Sequence, residues 1–113
     1  MDALAYLANG DSEQAMTRQD LLFASIDTLK SLLSERLPQG TPVYLFGSRA
    51  RGEARWNSDF DLWIDTDLMP NVRLALLESI DESLIPFKVD IVSTAQLKES
   101  FGEQVRKEAQ RWM

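Results

Sequence analysis

Cysteine and histidine are both absent from this chain of 113 residues. The absence of cysteine excludes disulfides and thiolate metal sites, and nothing else indicates an oxidising compartment. The absence of histidine excludes Ser-His and Cys-His catalysis, histidine general bases and most zinc sites. Any catalysis by this chain must therefore use carboxylates, hydroxyls, arginine, lysine or bound ions.

Long apolar runs and a surplus of positive charge are missing as well. No apolar stretch approaches the length of a membrane span, and the N-terminus lacks the pattern of a signal peptide, so we expect a cytoplasmic protein without membrane contact. The chain has 12 Lys and Arg against 18 Asp and Glu, a net charge of −6. This balance argues against direct binding of nucleic acid and favours a cationic partner or bound metal ions.

The length suits one compact domain with a hydrophobic core. We interpret residues 1–16 as an N-terminal extension and residues 17–113 as the folded domain, because helix signals sharpen at a capping box that begins at Thr17. From there the apolar pattern predicts a helix, strand, short helix, strand, helix, strand and helix. This order indicates an α/β (α+β) fold in which helices pack on a small sheet.

Individual elements follow from alternation and from helical spacing. We expect strands at 43–46, 60–64 and 87–92, and a short helix that starts at Ser48 and continues through the helix formers up to residue 55. The helix after Pro70 should carry an apolar stripe of Val72, Leu76, Leu77, Ile80 and Leu84. A last helix capped by Ser93 and Gln96 should place on one apolar face Leu97, Phe101, Val105, Ala109 and Trp112. Either the whole face belongs to the core, or Trp112, next to the C-terminus, lies in an interface.

Asp59 and Asp61 are two residues apart on the strand predicted at 60–64, so their carboxylates should project from one face, close enough to share divalent ions. Most Asp-x-Asp pairs are simply a solvated strand face. Here the opposite face is fully apolar, which indicates a strand in the core. Two carboxylates held there repel each other unless a cation or a shared proton relieves them.

Asp90 is the one acid in the strand predicted at 87–92. It either pairs with Lys88 or an arginine at a sheet edge, or lies beside Asp59 and Asp61 and completes a three-carboxylate site. Such a site holds hard, oxygen-preferring ions such as magnesium. Asp90 alone does not decide between the two.

Gly47-Ser48 follows the first predicted strand. A glycine at a strand-to-helix turn lets a phosphate approach the backbone, and the free N–H groups of a helix start attract anions. The plainer alternative is an N-cap serine after a turn glycine. Arg49, Arg51 and Arg55 come next, either as a solvated helix face or as counter-charge for a triphosphate.

The turn, the arginines and the acids together indicate a metal–triphosphate site. In two-metal chemistry one ion activates an attacking hydroxyl and the other steadies the leaving pyrophosphate. This chemistry requires no histidine.

The string GSRARGEARWNSDFDL, in which Gly47-Ser48 precedes Asp59-Phe60-Asp61 by ten residues, resembles the signature of the nucleotidyltransferase fold shared with DNA polymerase β and kanamycin nucleotidyltransferase. It is most similar to the minimal nucleotidyltransferases (MNT proteins), and the resemblance covers the chain from about Thr17 to its end. It implies a small mixed sheet with flanking helices. It also implies two magnesium ions and ATP as the substrate.

The resemblance assigns roles to two sets of residues. The magnesium ligands and catalytic acids are Asp59, Asp61 and Asp90. The nucleotide-binding residues are Gly47, Ser48, Arg49, Arg51 and Ser58.

The resemblance also implies a partner. MNT proteins are typically partnered with a HEPN-domain protein, often an RNase toxin, which suggests that this chain is an antitoxin that transfers AMP from ATP to a tyrosine of the toxin. The length leaves no room for a separate acceptor-binding domain, so we expect another polypeptide to present the acceptor, and the charge of −6 suits a basic one. The alternative is a non-catalytic module that neutralises its partner by direct contact.

Overall fold

A computed structural model describes residues 17–113; the predicted N-terminal extension, residues 1–16, lies outside the described residues. The described strands are β1 (Val43–Phe46), β2 (Phe60–Ile64), β3 (Val89–Ser93) and β4 (Gln110–Arg111). The described helices are α1 (Arg18–Arg36), α2 (Ser48–Arg51), α3 (Pro70–Glu82) and α4 (Glu99–Glu108), with one turn of 3-10 helix at Thr94–Gln96. None of the helices within residues 17–113 combines the length and the apolar composition needed to cross a membrane.

The four strands form one mixed sheet with the order β3-β2-β1-β4. β1 is antiparallel to both of its neighbours, β2 and β4, whereas β2 and β3 are parallel. A parallel pair needs a crossover connection, and α3 provides it. The small mixed sheet with flanking helices that the resemblance implied is therefore confirmed, while β4 was not predicted.

One face of the sheet is covered by α1 and α3. Thr17 and Asp20 form the predicted capping box that starts α1, and Leu29, Leu33 and Leu37 follow as a buried row at i, i+4 spacing. This row packs with Leu76 and Ile80 of α3 and with the strand residues that alternate inward: Val43, Phe60, Leu62, Ile64, Val89 and Ile91.

The other face of the sheet is covered only in part by α4. A second apolar cluster joins this face to the helix: Phe46, Trp63, Leu97 and Val105. Asp61 alternates along β2 with the buried Phe60, so its carboxylate projects from this second face. The partial cover leaves space there for charged side chains.

The last helix differs from its prediction. The capping box of Ser93 and Gln96 forms, but it caps the N-terminus of the 3-10 helix and not that of α4. The chain then turns at Glu99, which has a left-handed φ of 55°, and α4 ends at Glu108. The apolar spacing continues across this turn, which is why the sequence pattern indicated one longer helix ending beyond β4.

Trp112 lies past β4 and packs on the core. Its ring centroid is 6.1 Å from that of Phe60, and the Lys30 ammonium lies 4.9 Å from the Trp112 centroid. Trp112 is partly buried against the core cluster, as the core interpretation expects.

Three residues predicted to lie on apolar stripes are exposed: Val72, Leu84 and Phe101. Leu84 follows the end of α3 with a φ of 63°, so it has left the helix on which the stripe was drawn. The short helix α2 also ends earlier than residue 55, because Gly52 adopts the left-handed conformation and caps it.

We predict that Leu29→Ala lowers the free energy of unfolding by about 2–5 kcal/mol, because it opens a cavity in the core. Phe23, on the same helix, is 54% exposed. Phe23→Ala is the matched control and should change the free energy by about 0.5 kcal/mol or less. Urea denaturation of the two variants measures the difference, and equal losses would contradict the orientation of α1.

Candidate active site

The turn between β1 and α2 is built on Gly47, which has a φ of 75°. L side chains rarely adopt this conformation, so glycine is the natural residue here. The position also has a steric reason for lacking a side chain, because a Cβ on Gly47 would overlap the carboxylate oxygen Oδ2 of Asp61. The strand that carries Asp61 therefore lies directly against the turn.

The three predicted acids lie near one another on the second face of the sheet. Asp61 of β2 and Asp90 of β3 are register partners in the parallel pair, and Asp59 precedes β2 by one residue. Asp61 is half-buried, whereas Asp59 and Asp90 are exposed. Lys88 Nζ is 3.8 Å from Asp90 Oδ2, so Asp90 both borders Asp61 and has the lysine partner that the alternative interpretation proposed.

The electrostatic environment of Asp61 disfavours its charged form. Burial raises the pKa of the Asp61 carboxyl above its ordinary value. The neighbouring carboxylates raise this pKa further: Asp90, Asp59 and Glu108. Lys88 opposes them, but the net pKa stays raised, so a cation beside Asp61 would relieve unfavourable repulsion.

These carboxylates suit magnesium in their chemistry. Their donors are all oxygen, which hard divalent ions prefer. Within residues 17–113, however, no group of three or more His, Cys, Asp or Glu side chains is arranged closely enough to hold an ion. The assignment of Asp59, Asp61 and Asp90 as metal ligands therefore stays a prediction.

Arg49 points into the loop that follows α2. Its Nε and Nη2 donate to the carbonyl oxygen of Ser58 at 3.1 and 2.6 Å, and Nη2 also donates to that of Trp56 at 3.0 Å. The guanidinium lies 4.3 Å from the Phe60 ring centroid. Burial lowers the pKa of Arg49, although the charge of Asp59 opposes this. Arg49 thus holds the loop that leads into Asp59, and a contact with nucleotide stays a prediction.

Arg51 and Ser58 are engaged within the chain as well. Arg51 Nε donates to Glu53 at 2.6 Å, and Arg51 Nη1 donates to Glu108 Oε2 at 3.0 Å. Ser58 Oγ accepts the N–H of Arg55 at 2.8 Å. The two residues shape the surroundings of the turn, and their predicted role in nucleotide binding is not settled by these contacts.

Glu108 is a site residue that the sequence did not indicate. It ends α4, and its Oε1 accepts the Gly47 N–H at 2.8 Å. Burial raises its pKa, but hydrogen bonds from Gly47, Gln104 and Arg51 outweigh burial and hold the pKa of Glu108 below its ordinary value. No local pattern signalled this contact, because the two partners are 61 positions apart.

Comparison with known proteins gives the class to which this fold and turn belong. Residues 26–112 match the family described as "Nucleotidyltransferase domain". This match spans most of the chain, and the chain belongs to that family. The sequence resemblance to nucleotidyltransferases is thereby confirmed.

Individual proteins show a more specific similarity to the chain. A Haemophilus influenzae protein named "Probable protein adenylyltransferase MntA" is 36% identical over 90 residues, which cover 78% of this chain and 78% of the relative. A crystal structure of a toxin-antitoxin with AMP-PNP contains a chain with a TM-score of 0.63 and 26% identity, covering 77% of this chain and 72% of that chain.

A third likeness is to a structure of a tri-AMPylated HEPN toxin of Shewanella oneidensis in complex with an MNT antitoxin. The TM-score is 0.60 at 21% identity, and the match covers 80% of this chain and 71% of that chain. At this identity the likeness shows the fold alone.

Two glycines of equal φ allow the contact between Gly47 and Asp61 to be tested. Gly52 has the same φ of 75° as Gly47, but a Cβ there would meet nothing within 4 Å. We expect Gly52→Ala to lower the free energy of unfolding by about 1–2 kcal/mol from backbone strain. Gly47→Ala should cost about 1–3 kcal/mol more, because the ψ of −158° at Gly47 lies outside the left-handed helical region that Gly52 occupies and because the new Cβ also displaces Asp61. Guanidinium denaturation measures both. Repeating Gly47→Ala in an Asp61→Ala background separates the contact from the backbone strain, and an unchanged loss there would show that Asp61 does not need this space.

Proposed function

We propose that this chain is a magnesium-dependent protein adenylyltransferase and an antitoxin, which transfers AMP from ATP to a tyrosine hydroxyl of a HEPN-type RNase toxin. The observation that carries the proposal is the half-buried Asp61, which lies against the Gly47 turn and beside Asp59 and Asp90. The family and the relative named as an adenylyltransferase support it. The toxin-antitoxin structure with AMP-PNP, which has a similar fold, supports the nucleotide and a toxin as the partner.

The acids and the turn have distinct roles in this proposal. Asp59 and Asp61 would hold the metal, with two ions expected, and bound magnesium would neutralise charge on the triphosphate. Ser48 offers its N–H and Oγ to phosphate oxygens at the start of α2, and neither has a hydrogen-bond partner among residues 17–113. Asp90 is more exposed than Asp61, which suits a carboxylate that orients or deprotonates an arriving hydroxyl.

The transfer forms one bond and breaks another. The acceptor oxygen bonds to the α-phosphorus of ATP, and the bond from that phosphorus to the bridging oxygen breaks, which releases pyrophosphate. The hydroxyl proton leaves to Asp90 or to water. Since the reaction consumes ATP, we expect it in the cytoplasm.

Charge supports a basic protein as the acceptor. The chain has a net charge of −6, and the exposed Asp59 and Asp90 add negative potential at the site itself. Complementary charge accelerates encounter and selects partners. An RNase binds the negatively charged backbone of RNA, so we expect it to offer a basic surface. Its hydroxyl would be delivered to the open part of the second sheet face.

A second candidate function is inhibition by contact without catalysis. The observation that favours it is that Arg49 and Arg51 are engaged within the chain and that no three-ligand metal group is formed among the described residues. The two functions differ in whether the acids are needed to neutralise the partner.

Intact mass spectrometry of the co-expressed partner tests the proposal. With the wild-type chain we expect a partner heavier by one or more AMP groups, and with Asp59→Asn, Asp61→Asn an unmodified partner, since the magnesium ligands are gone. Asp67 is exposed and lies outside the site, so Asp67→Asn is the matched control and should modify the partner fully. An unmodified partner that is neutralised equally by wild type and double variant would establish contact inhibition instead.

The raised pKa of Asp61 predicts that the ionised carboxylate, which the proposed activity requires, lowers the stability of the fold. A carboxyl whose pKa is higher in the folded chain than in the unfolded chain binds its proton more tightly when folded. At a pH above its pKa in both states, where it is ionised in both, it therefore destabilises the fold. We expect Asp61→Asn to abolish transfer and yet raise the thermal midpoint of the nucleotide-free chain.

The pH dependence gives the check. The advantage of Asp61→Asn should shrink as the pH falls through the raised pKa of Asp61, because the wild-type carboxyl then becomes protonated in the folded chain. Thermal scans from neutral to acidic pH measure it. A midpoint for Asp61→Asn below that of wild type at neutral pH would show that the repulsion at Asp61 is not significant.

A further inference from the structure

Glu108 joins the end of α4 to the Gly47–Ser48 turn. Its side chain is 10% exposed. Oε1 accepts the Gly47 N–H at 2.8 Å, and Oε2 accepts Arg51 Nη1 at 3.0 Å and Gln104 Nε2 at 2.9 Å. Both carboxylate oxygens therefore accept hydrogen bonds from donors within the chain.

A second hydrogen bond ties the same segment to α2. Gln110 Nε2 donates to the carbonyl oxygen of Ala50 at 2.7 Å. Glu108 and Gln110 therefore hold the beginning and the middle of α2 from one side. We call these two residues the C-terminal clasp.

Local interactions alone do not fix the direction of this turn. α2 has four residues, too few to be stable by itself. It is flanked by Gly47 and Gly52, which have the widest backbone freedom of any residue. Contacts from elsewhere in the fold must therefore select the observed conformation. Asp61 packs against Gly47 and Arg49 bonds the loop after α2. The clasp adds direct hydrogen bonds to the backbone of the turn and of α2.

We propose that Glu108 is a positioning residue of the active site, which fixes the Gly47–Ser48 turn and Arg51 so that the phosphates of ATP meet the turn in its binding conformation. This inference rests on the proposed function. Glu108 itself does not contact substrate in this role. Its cost is a like charge near Asp61, which its hydrogen bonds offset.

The distribution of donors separates this role from simple competition with phosphate. Glu108 takes the N–H of Gly47, whereas the N–H and Oγ of Ser48 have no partner among residues 17–113. The Gly47 N–H thus anchors the turn, and the N–H and Oγ of Ser48 stay available to a ligand. An internal anion that mimicked phosphate would be expected to occupy the Ser48 groups as well.

Binding of Mg–AMP-PNP by titration calorimetry tests the inference. We expect Glu108→Ala to raise the Kd about tenfold, the equivalent of about 1.4 kcal/mol, because the turn loses its anchor. Glu108→Gln keeps an oxygen for the Gly47 N–H but loses the acceptor for Arg51 Nη1 and Gln104 Nε2, so its Kd should lie between those of wild type and Glu108→Ala. Glu103 is an exposed acid on the same helix, and Glu103→Ala is the control that should bind as wild type.

Steady-state kinetics with the partner adds a readout that a merely structural role would not move. Positioning of the turn predicts a raised KM for ATP with an unchanged KM for the partner protein. It also predicts partial rescue by Glu108→Gln. If Glu108→Ala does not fold, Glu108→Asp serves in its place, since its shorter side chain cannot span the same distance and the same loss of ATP affinity is expected.

Two outcomes would contradict the positioning role of Glu108, and a third would contradict the proposed function. Wild-type affinity in a folded Glu108→Ala chain contradicts the positioning role. Tighter binding by Glu108→Ala contradicts it too and would make Glu108 a competitor of phosphate. Failure of the wild-type chain to bind Mg–AMP-PNP contradicts the proposed function itself.

Discussion

The approach of Asp61 to the backbone of Gly47 is the constraint on which the site depends. The two residues meet because β1 and β2 pair in a register that places Phe46 opposite Asp61, one residue before the turn. Only a residue without Cβ leaves space for the carboxylate there. The conformation of Gly47 then directs the chain into α2, so one contact sets both the position of the acid and the start of the helix. A phosphate and a metal ion that share a nucleotide need these two elements side by side.

The hydrophobic core holds together charges that would otherwise separate. Asp61 is surrounded by like charge and is partly removed from water, which raises its pKa and destabilises its ionised form. Its neighbours along β2, Phe60 and Leu62, are almost fully buried on the opposite face of the sheet. Burial of such side chains contributes about 1.5–3 kcal/mol each, enough to keep the strand in place against the repulsion. The acids are thus positioned by residues that face away from them.

Local sequence patterns were sufficient for the parts of the fold that depend on local physics. Alternation along 60–64 indicated β2, and the Gly47-Ser48 turn followed by paired acids indicated the class of site. The hydrogen-bond partners of Arg49 and Arg51 could not be predicted from the sequence in the same way. Arg49 donates to backbone carbonyl oxygens, which every residue possesses, so no side-chain pattern marks its acceptors. The prediction of one long last helix was wrong because the left-handed turn at Glu99 keeps the apolar spacing intact. β4 was missed because a strand of two residues is too short to show alternation.

The separation of 61 positions between Gly47 and Glu108 has a consequence for the order in which this chain acquires its structure. A ribosome makes β1, the turn and the acids of β2 well before it makes α4 and β4. The pairing of β1 with β2 closes a short loop and can form early, whereas the clasp closes a much longer one. A nascent chain therefore displays its acidic residues before its turn is anchored. The hydrogen bonds that anchor the Gly47–Ser48 turn therefore form only when α4 and β4, the last described elements, are in place.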